Sequence, residues 1–168
     1  MSLPIPEIDT QQSIPSGTID GNVNDVISYS KYTDILVIGS FGKIVEEAPS
    51  VPVQILAVYN DPRPSIGIAG VVLNSKAYPP NIIQINEDNF YPRKKPDVVS
   101  VIKKGFVTVN VSSLSNPEPF GEVYIGSSIL DSGTATTNEL DEKANAIFIR
   151  EIPQNTSGLT KVWQIQLK

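Results

Sequence analysis

Apolar and polar positions alternate most cleanly in the second half of the chain. In Phe106-Val107-Thr108-Val109-Asn110-Val111 the valines fall on one side of an extended backbone, and Phe106, Thr108 and Asn110 fall on the other. Glu122-Val123-Tyr124-Ile125 repeats the alternation and leads to a turn at Asp131-Ser132-Gly133-Thr134. Ala146-Ile147-Phe148-Ile149-Arg150 is a further strand. Ser157-Gly158 then opens Leu159 to Leu167, where Trp163, Ile165 and Leu167 line one face and Val162, Gln164 and Gln166 the other. This spacing places Trp163 in the core or at a subunit interface.

The first half is less regular. Asp34 to Gly39 is a continuous apolar run of the kind a fully buried strand shows, and it continues through Phe41-Gly42-Lys43-Ile44-Val45 with two glycines that predict a bulge or tight bend. Gln54 to Tyr59 and Ile66 to Leu73 are two more apolar strand patterns, separated by the turn-forming Asn60-Asp61-Pro62-Arg63-Pro64. Helical spacing occurs in two places: Val23, Val26 and Ile27 predict a helical turn over Asn24–Tyr29, and Leu140 with Ala144 predicts a short helix over Glu139–Asn145. In residues 76–97, Tyr78-Pro79-Pro80 blocks regular structure, Ile82 to Ile85 fits a brief strand, and Tyr91 to Pro96 reads as an irregular surface loop.

These elements predict a mainly β protein, a small β-barrel or β-sandwich with one or two short helical segments and an extended N-terminal arm. The arm covers residues 1–20, polar and proline-rich without a sustained period, and residues 21–168 form a single β-rich domain. Such an arm is either disordered or ordered only against a neighbouring subunit. The chain has 168 residues, 40% of them hydrophobic, with 14 prolines and 11 glycines, which suits many short strands joined by turns. No sequence repeat implies a solenoid or propeller. The start, Met1-Ser2-Leu3-Pro4-Ile5-Pro6, lacks the pattern of a secretory signal, and no apolar run reaches membrane-spanning length, so a soluble chain without membrane partners is expected.

Composition then narrows the chemistry. With no histidine and no cysteine, the chain lacks the commonest general base and the usual nitrogen and sulfur metal ligands. No conventional Ser-His-Asp triad can be built, and none of Ser112, Ser113, Ser115, Ser127 or Ser128 lies in a nucleophile elbow. Gly39-Ser40-Phe41-Gly42 lacks the Gly-Lys-Ser/Thr end of a phosphate loop. Glu46-Glu47 and Asp141-Glu142 are adjacent carboxylates, but neighbours on a strand face opposite ways, so solvated surface is the simpler reading. The oxygen-rich stretch Asp131 to Asp141 lacks the spacing of a calcium loop and reads first as a hairpin turn. Asn110-Val111-Ser112 and Asn155-Thr156-Ser157 match the glycosylation pattern, which carries no weight without a secretion signal. The expectation is a non-enzyme with no catalytic residues, no metal and no cofactor.

One cluster stands out as a contact surface. Arg93, Lys94 and Lys95, flanked by Phe90 and Tyr91, combine cations with aromatics. Three charges in a chain of net charge −5 make a feeble nucleic-acid site, because affinity grows with the number of phosphates neutralised. A solvated loop, or a loop docking on an acidic protein partner, fits better.

Read in order, several segments resemble the capsid cement, or decoration, proteins of tailed bacteriophages. The matching pieces are Asn24–Tyr29, Phe41–Val45, Gln54–Val58, Gly105–Val109, Gly121-Glu122-Val123-Tyr124, Ala144–Phe148 and Ser157–Val162. Together they span about residues 17–168, and their order carries the likeness; the stretch Ala77–Pro96 matches no pattern of the family. The resemblance implies a virion structural protein on the outer capsid surface, head-stabilising through contacts that bridge major capsid subunits, often as a homotrimer. It implies synthesis in a bacterial host cytoplasm from a phage or prophage gene, and no nucleic-acid partner. The competing reading is a β-sandwich recognition module, carbohydrate-binding or tail-associated and receptor-binding, with Tyr78, Tyr91 and Trp163 as the stacking platform.

Overall fold

The valine-rich segment Val99–Val111 becomes the longest strand and the hub of the molecule. In the computed structural model, which describes residues 14, 16–33, 35–48, 51–74, 98–154 and 161–168, the chain order is β1 (Ile19–Tyr29), β2 (Phe41–Ala48), β3 (Val51–Val58), β4 (Ser65–Val72), β5 (Val99–Val111), β6 (Glu122–Ile125), β7 (Ala135–Thr136), β8 (Glu142–Ile152) and β9 (Lys161–Leu167). Along one side of β5 runs β1, antiparallel, from Ile19 opposite Val107 to Tyr29 opposite Val99. The other side changes partner: Ile102 and Val101 face Val71 and Val72 of β4, while Gly105 to Val111 face Leu167 to Lys161 of β9. A single strand therefore joins two sheets.

The C-terminal strands close on themselves. β5 pairs with β7, β7 with β6, β6 with β8, β8 with β9, and β9 returns to β5, giving a five-stranded barrel whose one parallel contact is Val111 with Ala135. Closure leaves these strands no open edge. The alternation read from the sequence points the predicted residues inward: Val107, Val109, Val123, Ile125, Phe148 and Ile165 are fully buried, and Trp163 keeps only 6% of its surface. Phe148 and Trp163 meet edge to face, with ring centroids 5.5 Å apart and planes at 76°, a geometry favoured by the ring quadrupoles.

From the other half of β5 extends the antiparallel sheet β4-β2-β3. Its strand β4 sends Val71 into the barrel core and Val72 to a second core with Leu36, Leu56, Ala69, Val99 and Val101. The two cores are thus opposite faces of shared strands, which is why β4 reads as a nearly continuous apolar run.

Three sequence expectations change. Asn24–Tyr29 is not a helical turn but the end of β1: Ile27 packs on the second core while its neighbour Val26 is 42% exposed, the alternation of a strand. The long β5 ladder outweighs a three-residue helical spacing. Glu139–Asn145 is not a helix either. Leu140 sits exposed in a turn, β8 starts at Glu142, and Ala144 is buried in the barrel. The described residues contain no helix. The run Asp34–Gly39 is buried at Leu36 and Ile38 without forming a strand; the chain turns at Gly39, whose φ of 80° favours glycine. There the Gly39 N–H donates to the Val72 carbonyl (2.8 Å), and its carbonyl accepts from Asn110 N–H (2.8 Å), wedging the turn between β4 and β5. The buried Asn110 amide secures it, with Nδ2 donating to the Ile38 carbonyl at 2.8 Å. At the N-terminal end, the described residues of the predicted 1–20 arm are 14 and 16–20. Ser16 is buried, Gly17 and Thr18 exchange backbone hydrogen bonds with Thr108, and β1 begins at Ile19; residues 1–13 lie outside the described residues.

Candidate interaction surface

The adjacent carboxylates do not converge. Glu46 and Glu47 are exposed on β2, and Glu47 lies 4.0 Å from Lys31. Asp141 accepts from Thr136 Oγ1 at 2.9 Å and Ser127 Oγ at 3.4 Å, while Glu142 accepts from the Tyr59 hydroxyl. That hydroxyl is held protonated far above its usual range, by burial first and then by Glu142. Asp141 and Glu142 are each tied to a structural partner, and among the described residues no group of three or more His, Cys, Asp or Glu is placed to hold a metal. No helix among them is long and apolar enough to cross a membrane.

The predicted contact residues Phe90, Tyr91, Arg93, Lys94 and Lys95 lie outside the described residues, as does Tyr78. Trp163, the third aromatic of the stacking-platform reading, is committed to the barrel core beside Phe148.

The β3–β4 turn is built around Asp61. Its carboxylate accepts from Arg63 N–H (2.9 Å), Nε (2.8 Å) and Nη2 (2.7 Å), and Lys43 Nζ donates to the carbonyls of Asp61 and Arg63. The Arg63 side-chain hydrogen bonds hold the Asp61 carboxyl below its ordinary value of 3.8. A lowered folded-state pKa means the unfolded chain binds the proton more readily. The stabilisation is therefore complete above pH 3.8 and disappears as pH falls through the lower folded value. Urea midpoints of the wild type and Asp61→Asn should differ by a constant amount at neutral pH and converge in acid; a gap that persists to pH ~2 would contradict this assignment.

Three large aliphatic side chains stand in solvent on adjoining loops. Ile129 and Leu130, in the β6–β7 loop, are 88% and 94% exposed, and Leu140, in the β7–β8 turn, is 93% exposed. The two loops are tied together by Asp141, which takes Ser127 from the first and Thr136 from the strand between them. Asp131 and the exposed Glu139 border the same tips. Sequence reasoning missed this knob by assigning Leu140 to a helix face. The available signal was the apolar pair Ile129-Leu130 between Ser127-Ser128 and Asp131-Ser132, since such a pair gains nothing from lying in a polar turn. Leu114 and Phe120, 85% and 76% exposed, add apolar surface on the β5–β6 connection, and Phe120 holds a φ of 67°, rare for a bulky residue.

A cleft opens where the appended sheet meets the barrel. Phe41, Ile68 and Leu167 contribute apolar walls, Gly70 keeps one wall low, and Lys103 and Lys168 stand at its margin. Its volume is about 180 Å³, below the ~300–1,000 Å³ usual for small-molecule sites.

The architecture is a closed five-stranded barrel with a three-stranded sheet hung from its longest strand. The same fold occurs in a chain of the solved structure "The capsid of Myoviridae Phage XM1", with a TM-score of 0.70 and 19% sequence identity over 100% of this chain and 98% of that one. No family model and no curated protein matches the sequence.

Proposed function

We propose that this chain is a structural protein of a tailed-phage virion. It binds the outer face of the capsid, bridges neighbouring major capsid subunits, and stabilises the head as a cement protein without enzymatic activity. The observation that carries the reading is the fold shared, end to end, with a chain of a phage capsid. The ordered sequence segments from Asn24 to Val162 that resemble cement proteins support it independently. In this reading the protein is made in a bacterial cytoplasm from a phage or prophage gene and assembles as a homotrimer on the lattice. Repetition suits that task, because a contact of modest strength gains when one assembly engages several capsid subunits at once.

The test is co-sedimentation of the purified protein with expanded, undecorated capsids of the phage or prophage that encodes it. Saturable binding and capsids that withstand more heat before releasing DNA are the expected result. Replacing Arg93, Lys94 and Lys95 with glutamate should weaken the binding and reduce its salt dependence, as rim charges do. Absence of binding to both expanded and unexpanded capsids would refute the cement role.

A further inference from the structure

The knob and the cleft are complementary to each other. Ile129, Leu130 and Leu140 present aliphatic side chains bordered by Asp131 and Glu139, while the cleft of Phe41, Ile68 and Leu167 is apolar and bordered by Lys103 and Lys168. The cleft is too small for most small-molecule ligands but offers room for aliphatic side chains. The knob does not fill the cleft of its own chain, since its three side chains are 88–94% exposed. Its other acids are already engaged: Asp141 by Thr136 and Ser127, Glu142 by Tyr59, and Glu122 by Lys143 at 2.7 Å. Asp131 and Glu139 are therefore the carboxylates placed to meet a cation from outside.

We propose that a second copy of this chain is the occupant: the Ile129-Leu130-Leu140 knob of one protomer seats in the Phe41-Ile68-Leu167 cleft of the next, with Glu139 and Asp131 facing Lys103 and Lys168. Two different surfaces of the same molecule meet, so the contact is heterologous, and each protomer both gives a knob and receives one. Such contacts close into a ring when the rotation allows it. Burial of the tips removes their exposed apolar surface from water. The charges at the margin select the partner surface and its orientation more than they add affinity. This contact concerns copy with copy, so it can hold whether or not the assembly binds a capsid.

Light scattering and sedimentation on the purified full chain provide the test. The expected result is a closed oligomer at micromolar concentration. Leu130→Asp with Leu140→Asp should weaken association more than about tenfold, as loss of a central apolar anchor does. Circular dichroism and thermal melting should show these monomers still folded, because exposed tips add nothing to their own core. Lys103→Glu with Lys168→Glu should weaken association, and adding Asp131→Lys and Glu139→Lys to that chain should restore it. Zero-length carbodiimide coupling in a mixture of light and isotope-labelled protein should join Glu139 of one copy to Lys103 of another. A single-chain mass at all concentrations, or an oligomer indifferent to the Leu130 and Leu140 changes, would overturn the proposal. Failure of capsid binding with the oligomer intact would refute only the cement role.

Discussion

Replacing Phe148 with alanine lowers the stability of the barrel by about 3–5 kcal/mol, the range for emptying a large aromatic from a packed core. Phe148 is fully buried on β8, and its ring meets Trp163 of the neighbouring strand edge to face at 5.5 Å. Truncation removes the transfer energy of the ring, leaves a cavity that five paired strands cannot collapse around, and forfeits about 0.5–1.5 kcal/mol of aromatic contact. Against a typical total of about 5–15 kcal/mol, the variant is marginal or unfolded at 37 °C. Phe148→Leu retains most of the volume and should cost much less. Urea unfolding followed by Trp163 fluorescence reads both, since that indole is the chain's only tryptophan. An alanine variant within about 1 kcal/mol of wild type would mean that this contact does not organise the core.

The second large effect is expected at Gly70. This residue lies at φ 128°, and a Cβ there would stand 2.2 Å from the Ile102 carbonyl oxygen and 3.0 Å from its carbon. Those are backbone atoms of β5, so nothing can swing aside. Gly70→Ala must either break the β4–β5 pairing, which rests on Val71–Ile102 and Val72–Val101, or hold a strained backbone. A loss of about 3 kcal/mol or more follows. Because β4 connects the two cores, the damage should reach both, and protection of β2 and β3 amides from hydrogen exchange should fall with that of β4. Gly67, on the same strand, is the control: a Cβ there meets nothing within 4 Å, so Gly67→Ala should be neutral or slightly stabilising. Equal costs at the two positions would remove the steric explanation.

Part of the molecule is legible in the sequence. Val107, Val109 and Val111, and likewise Trp163, Ile165 and Leu167, show their inward face through alternation alone, because the side-chain period of a strand is a local property. The same rule failed where apolar residues run without alternation. Leu36 and Ile38 are buried, as their character requires, but hydrophobicity specifies burial and leaves backbone conformation open, so a turn at Gly39 looked like strand. The two short helical spacings failed for a related reason. A three- or four-residue coincidence stabilises little, whereas Val26 opposite Ile102, or Glu142 opposite Ile125, joins a ladder that only distant segments supply.

The sequence by itself determined that this chain is β-rich, which residues of its alternating segments face inward, and that it lacks the histidine and cysteine on which the commonest catalytic and metal sites rely. The tertiary structure alone decided that β5 to β9 close into a barrel, that β5 carries a second sheet, and that Ile129, Leu130 and Leu140 are gathered outside rather than inside. The physical reason is range. Alternation and turn chemistry act over a few residues, but closure depends on pairing Val111 with Lys161 and Ala135, and exposure depends on which loops that closure pushes to the surface.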